Sequence, residues 1–311
     1  MSEQPTVTPN TPSVPLDLNS PGVASMVAKR ISADIDMWAQ KTYDTGPRSH
    51  LGGSLIGNDC LQYLWLHFRW VKHEKFPGRI LRLFQRGHRE EATFNEYLRG
   101  IGCQVWEFDD ANASEADKGK KQYRISGSGG HFGGSLDGIV KLPPHYGIDE
   151  PMLLEYKTNG TGSGFNKLGD VGMPLAKPLH FAQTSTYGVA YGFRYCLYLN
   201  VNKNDDSMHI EIVKLNETLG RQQFAKAEKV ITSQVPLGKI CASPTMKPCN
   251  TCVYKEVCHN GEIPEKNCRS CVNAVPVDNA QWSCSLYNVV IPGEDEIKAA
   301  CPQWVPIING K

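Results

Sequence analysis

Net charge is almost missing from this sequence: 33 Lys+Arg stand against 32 Asp+Glu, a formal +1. A chain so balanced does not coat nucleic acid through bulk charge, so contact with a polyanion needs a local basic patch. Long apolar runs are missing as well. No stretch reaches the roughly 18 residues that a membrane-spanning helix requires. The opening MSEQPTVTPNTPSVP has neither the basic start nor the apolar middle of a secretory signal. A cytoplasmic protein without membrane association is the expectation. There is no G-x4-G-K-[ST] phosphate loop, which excludes a motor built into this chain, and no internal repeat.

What is present is a large apolar complement and many cysteines. The 311 residues are 40% hydrophobic and 9% aromatic, enough for a sizeable core. Of the 11 cysteines, Cys60, Cys103 and Cys196 are scattered, while the others lie between Cys241 and Cys301. Without a secretory signal a disulfide framework is not expected. Clustering of this kind points to metal.

Organisation follows from punctuation and period. Residues 1–20 are rich in Pro, Thr, Ser and Asn and read as a disordered tail. Ser20 and Pro21 then resemble an N-cap and first-turn proline, opening a helix to about Lys41. Ser54 reads as the cap of a second helix over 55–70, and a third runs from about Gly78 to Arg99, ended by Gly100 and Gly102. The period then shortens to that of strands: 103–109, 122–126, 132–142 and 152–158. The glycine-rich stretch 159–172 reads as a mobile loop. A helix over 178–191, strands over 194–201 and 208–213, and a helix over 217–233 complete an α/β (α+β) pattern with a central mixed sheet flanked by helices. Residues 21–234 would form this core, and 235–311 a Cys-rich segment that needs staples to be ordered.

The strand MLLEYKT holds the chemistry. Strand alternation puts Leu153, Glu155 and Lys157 on one face and Leu154 and Tyr156 on the other. Alone, E-x-K reads as an ion pair on a half-exposed strand. Asp137, just before Gly138, adds a second carboxylate from a neighbouring strand. Two carboxylates suit a hard divalent ion such as Mg²⁺. Such an ion polarises a phosphoryl oxygen and acidifies water, and a lysine beside it can position that water and offset transition-state charge.

With Ser135-Leu136-Asp137-Gly138 followed by Glu155-Tyr156-Lys157, the sequence resembles the PD-(D/E)XK nuclease superfamily. Gln183 and Tyr187 match the Q-x3-Y signature of its RecB-like branch. Gly87 followed by Glu91 is similar to the helical motif of the lambda-exonuclease (YqaJ) group. The resemblance implies a restriction-endonuclease-like core in which Glu91, Asp137 and Glu155 hold Mg²⁺ or Mn²⁺. Lys157 would position the attacking water, and Gln183 and Tyr187 would support the site. His88 and Glu90 are weaker candidates for the place of Glu91. An exposed helical face is the plain alternative for Glu90 and Glu91, as ordinary i,i+4 packing is for Gln183 and Tyr187.

The cysteines divide in two. Cys249, Cys252 and Cys258, in C-x2-C-x5-C, lack a fourth ligand. His259 or a later cysteine could complete a local zinc knuckle. Resemblance to the iron-sulfur nucleases of the AddB and CRISPR-adaptation type implies Cys60 instead, ahead of the core, and a [4Fe–4S] cluster. Cys60 could equally be an ordinary helical thiol. Cys268, Cys271, Cys284 and Cys301 resemble a four-thiolate Zn²⁺ site. Cys241 is unassigned, and Cys103 and Cys196 read as core.

The resemblance implies a DNA exonuclease acting at ends, in recombination, repair or phage replication, with DNA and a recombination or annealing protein as partners. Small size and the missing motor suit a phage or prophage enzyme in a host cytoplasm. A structure- or site-specific endonuclease would use the same residues. A catalytically silent DNA-binding scaffold is the rival from another class. The basic run Lys118–Lys121 and the stretch Arg79–Arg89 could touch phosphates, with solvated faces as their default reading.

Overall fold

The computed structural model describes residues 16–308, so residues 1–15 of the expected tail lie outside it. The chain divides into two units, one holding residues up to Asp44 together with Phe76–Phe84, the other holding the rest.

In the first unit, helix α1 (Val23–Tyr43) begins two residues later than the Ser20-Pro21 pair suggests. The Ser20 hydroxyl turns back to Asp17, and Gly22, at φ 81°, makes the left-handed entry to the helix. Ala39 is the one α1 side chain that is buried. Asp36 pairs with Arg82, and Phe76 meets Phe84 edge-on at 5.2 Å.

The second unit opens with β1 (Leu51–Gly52) and α2 (Leu61–Phe68). The expected helix over 55–70 is thus cut to its second half. Asn58 Oδ1 accepts the Cys60 N–H at 2.9 Å, a local bond that competes with helix. Cys60 becomes the N-cap, its sulfur accepting from Tyr63 N at 3.4 Å. Helix α3 (Gly78–Gly100) follows, its first residues belonging to the first unit and the remainder to the second.

Then come β2 (Gln104–Trp106), β3 (Arg124–Gly127), β4 (Phe132–Ser135), β5 (Gly138–Lys141) and β6 (Met152–Asn159). The single strand expected over 132–142 is two. Strand β4 lies between β1 and β3 in a three-stranded sheet, whereas β5 joins a five-stranded one. Leu136 and Asp137 occupy the crossing between them. Helix α4 (Asn166–Ala176), kinked at Gly172, stands where a mobile loop was expected. Its glycines hide the period, but Leu168 and Met173 are buried, and Glu211 accepts the Met173 N–H at 2.7 Å. Helix α5 (Pro178–Tyr191), β7 (Tyr195–Asn202), β8 (Met208–Lys214) and α6 (Glu217–Thr232) fall where their sequence patterns put them.

The five-stranded sheet runs β2-β5-β6-β7-β8. Only β6 and β7 pair in parallel, joined by the α4–α5 crossover. Its two faces carry separate cores. Leu154, Tyr156, Leu197 and Leu199 pack with Phe94 and Leu98 of α3. Leu153, Cys196, Tyr198 and Val213 belong to the larger core, with residues of α2, α5 and α6. This is a mixed α/β fold, and among the described residues no helix is long and apolar enough to cross a membrane.

The Cys-rich segment contains α7 (Lys255–Asn260), a sheet of β9 (Ala274–Val277), β10 (Gln281–Cys284) and β11 (Val289–Ile291), and α8 (Glu294–Ala299). Trp282 of β10 sits in the main core.

Candidate active site

Strand alternation on β6 does what the sequence implies. Glu155 is fully buried, and Lys157 bonds through Nζ to Glu155 Oε1 and, at 3.1 Å, to the Tyr156 carbonyl. Gln183 of α5 donates Nε2 to the other Glu155 oxygen at 3.2 Å. Asp137, at the crossing between β4 and β5, accepts the Tyr156 N–H at 2.7 Å. That bond ties its carboxylate to the back of the E-x-K strand.

Electrostatics bring in the remaining carboxylate. Burial first, then the neighbouring Glu155 and Glu91 charges, push Asp137 up to about 8, against the pull of Lys157 and the Tyr156 N–H. Burial alone would lower Lys157, yet the Glu155 and Asp137 carboxylates outweigh it and hold the ammonium charged. Glu91 lies 3.3 Å from His88 Nδ1, and that hydrogen bond raises the imidazole pKa. Glu90 turns to Arg86 at 3.7 Å, the helix-surface pair of its plain reading. Tyr187 is buried against Gly53 and Gly134, where an added Cβ would collide with its phenol. Burial and the same carboxylates raise its pKa.

The donor types fit a divalent cation: the Glu91, Asp137 and Glu155 carboxylates act on one half-buried locus, offset by Lys157 and the Tyr156 N–H. The ligands are not closed around a point, since among the described residues no three His, Cys, Asp or Glu side chains are gathered as a metal-binding group. Lys157 and Gln183 occupy the two oxygens of Glu155 instead.

The cysteines form two thiol-lined cavities of about 20 Å³ each. Cys60, Cys249, Cys252 and Cys258 line one, beside Lys239 and His259. Burial raises the Cys252 and Cys258 thiols, with Cys60 adding to both. Contrary to the expectation of no disulfides and an unassigned Cys241, Cys241 is bonded to Cys249. The short excursion between them returns the chain to a Cα separation of 6.3 Å, within disulfide reach. In this state Cys249 is not a free ligand, whereas Cys60, Cys252 and Cys258 are free thiols. Cys268, Cys271, Cys284 and Cys301 line the second cavity with Trp304. Burial, then the other three sulfurs, push Cys268 up to about 11. Cys103 and Cys196 are core, as their strand patterns imply.

Sequence reasoning passed over the polar layer beside Lys157. Asn200 and Tyr198 of β7 and His180 of α5 form a hydrogen-bonded string. The sign was there: an asparagine inside the apolar run YCLYLNV belongs to a buried strand only if something binds it.

No family model matches the sequence, and no curated protein does. Among solved structures the chain is similar to LHK-Exo in complex with dAMP at 16% identity and TM-score 0.39, over 58% of this chain and 86% of that one. It is also similar to the alkaline exonuclease LHK-Exo from Laribacter hongkongensis, at 15% identity and TM-score 0.36, covering 63% and 89% of the two chains. For SSO0001 the values are 14%, 0.40, 74% and 96%. The likeness is distant and concerns the path of the chain.

Proposed function

We propose that this chain is a metal-dependent DNA nuclease of the PD-(D/E)XK kind, hydrolysing phosphodiester bonds at DNA ends. The observation that carries the reading is the meeting of Asp137, Glu155, Lys157 and Gln183 at one half-buried place around the β6 strand, in the motif order of that superfamily. Glu91 supplies a third negative charge to the same locus.

In this reading Glu91, Asp137 and Glu155 would hold Mg²⁺ or Mn²⁺. The bound ion supplies polarisation of the phosphoryl oxygen and acidification of a water. Lys157, kept charged by its carboxylate neighbours, orients the attacking water and balances negative charge as it builds on the phosphate. Gln183 fixes the rotation of the Glu155 carboxylate through Oε2, and the Tyr156 N–H fixes Asp137. Tyr187 closes the floor under α5. Burial of Glu155 keeps bulk water away from these bonds, which strengthens each of them.

The two cysteine groups act as staples for residues 235–311. Cys268, Cys271, Cys284 and Cys301 have the chemistry of a Zn²⁺ site. Cys60, Cys249, Cys252 and Cys258 would hold a [4Fe–4S] cluster once the Cys241–Cys249 bond is reduced, joining α2 to the C-terminal segment.

End-labelled linear DNA and covalently closed circular DNA, incubated with Mg²⁺ or Mn²⁺, test the reading. Metal-dependent loss of the linear form alone is expected. Nicking of the circle would replace the exonuclease with an endonuclease, and no cleavage of either DNA by metal-loaded protein would overturn the proposal.

A further inference from the structure

One buried acceptor beside the site has no partner. Asn200 is fully buried, and its Oδ1 makes no hydrogen bond. An unpaired buried amide oxygen is destabilising, so such groups call for a reason.

Its surroundings limit what that reason can be. Asn200 is the register partner of Lys157 across the parallel β6–β7 pair. Paired residues on neighbouring strands leave the same face with backbones about 4.8 Å apart. On its other side Asn200 pairs with His209, whose Nε2 is engaged by Glu211 at 3.0 Å. Asn200 Nδ2 donates to the Tyr198 hydroxyl at 3.0 Å, and that hydroxyl also meets His180 Nδ1 at 2.9 Å. Burial, with Lys157 and Lys177 adding, holds His180 down at about 3. The ring is therefore neutral, and its Nδ1 serves as acceptor for the Tyr198 proton. The string then runs Asn200 to Tyr198 to His180, which fixes the amide and leaves Oδ1 over.

Lys157 has the matching need. Its ammonium carries three N–H donors, of which Glu155 and the Tyr156 carbonyl take two. Lys157 competes with a cation for Glu155 Oε1, and the two positive charges repel across that oxygen. We propose that Asn200 is a positioning residue: its unpaired oxygen receives Lys157 when Glu155 releases Oε1 to a divalent cation. The inference rests on the nuclease reading only in needing a cation at Glu155. It assigns Asn200, Tyr198 and His180 a function as the rail on which Lys157 moves.

Calorimetric titration with Mn²⁺ in the absence of DNA tests this, on wild type, Asn200→Leu, Lys157→Met and the double variant. Asn200→Leu should bind Mn²⁺ about tenfold more weakly, the scale of one hydrogen bond to a charged group. In the Lys157→Met background the same change should make no difference, because there is no ammonium to receive. Asn200→Asp, which keeps an acceptor oxygen, should bind at least as tightly as wild type. If Asn200→Leu does not fold, Asn200→Ala takes its place in the cycle. Unchanged affinity in Asn200→Leu, or an equal loss in both backgrounds, overturns the role of Asn200 while leaving the cation site standing. A wild type that binds no Mn²⁺ overturns both.

Discussion

Asp137 is where burial and charge collide most directly. Its carboxyl titrates near 8 in the fold, against 3.8 for the ordinary group. Between those values the folded chain keeps a proton that the unfolded chain gives up, so the stability from this group is full below about pH 4 and is lost as pH rises through about 8. Melting temperatures of the metal-free protein should fall over that interval, and Asp137→Asn should flatten the slope. A divalent cation should restore stability on the alkaline side by replacing the proton as the compensating charge. A profile that is the same in wild type and Asp137→Asn would show that Asp137 is not held in this way. The residue scale also shows why Asn200 escaped notice: no motif includes it, and only strand register sets it beside Lys157.

At the scale of elements, β4 and α5 approach so closely that Tyr187 fills the space a side chain on Gly134 would need. Gly134→Ala should cost about 1–3 kcal/mol from overpacking, read as a lower midpoint in urea with the slope unchanged. A neutral effect would mean that the Tyr187 ring is free to move. The elements also show what the sequence makes legible. Helix α5 between Pro178 and Gly192, helix α6 behind its Asn216 cap, and strand β6 as one apolar run have limits that the sequence marks directly. Helix α2 was overextended because apolar spacing runs on through residues 55–60, while the deciding bond is the side chain of Asn58 to Cys60. Helix α4 was hidden by glycines and is held by tertiary bonds, including that of Glu211, which no local pattern reports. The 132–142 stretch reads as one strand because both halves alternate; the switch between sheets at Asp137 is a matter of topology. The contacts among the candidate site residues were legible for a different reason. Glu155, Lys157, Gln183 and Tyr187 are fixed by the geometry of one strand and one helix, and short spacing encodes that.

Within the second unit, two buried arginines tie the Cys-rich segment to the end of α2 and the chain just before β1. Arg69 donates to the carbonyls of Ala274 at 2.7 Å and Ser233 at 2.9 Å. Arg269, between two of the clustered cysteines, donates to Ser49 at 3.0 Å and to Phe68. Both guanidinium groups stack on Trp282, at 5.1 and 4.7 Å from the ring centre. Each is charge-assisted on carbonyls and aromatic faces rather than on a carboxylate. Arg269→Ala would strand the Ser49 and Phe68 carbonyls and open a cavity under Trp282. A loss of about 3–5 kcal/mol is expected on the scale of large core truncations, measured by thermal unfolding. A loss under about 1 kcal/mol would mean that Arg269 is not what holds residues 235–311 in place. The whole molecule was the least legible scale, since Arg69 and Arg269 look like surface residues in sequence and become core only when distant segments meet.

Lys157 offers the most direct test of the nuclease chemistry. Cleavage of end-labelled linear DNA with saturating Mg²⁺ should be compared between wild type and Lys157→Ala, with unfolding curves taken on both. A loss of at least about a hundredfold in rate is expected, the usual scale for a transition-state charge, in a variant that still folds. Equal cleavage by the two proteins would contradict it, because the E-x-K strand would then be an ordinary buried ion pair.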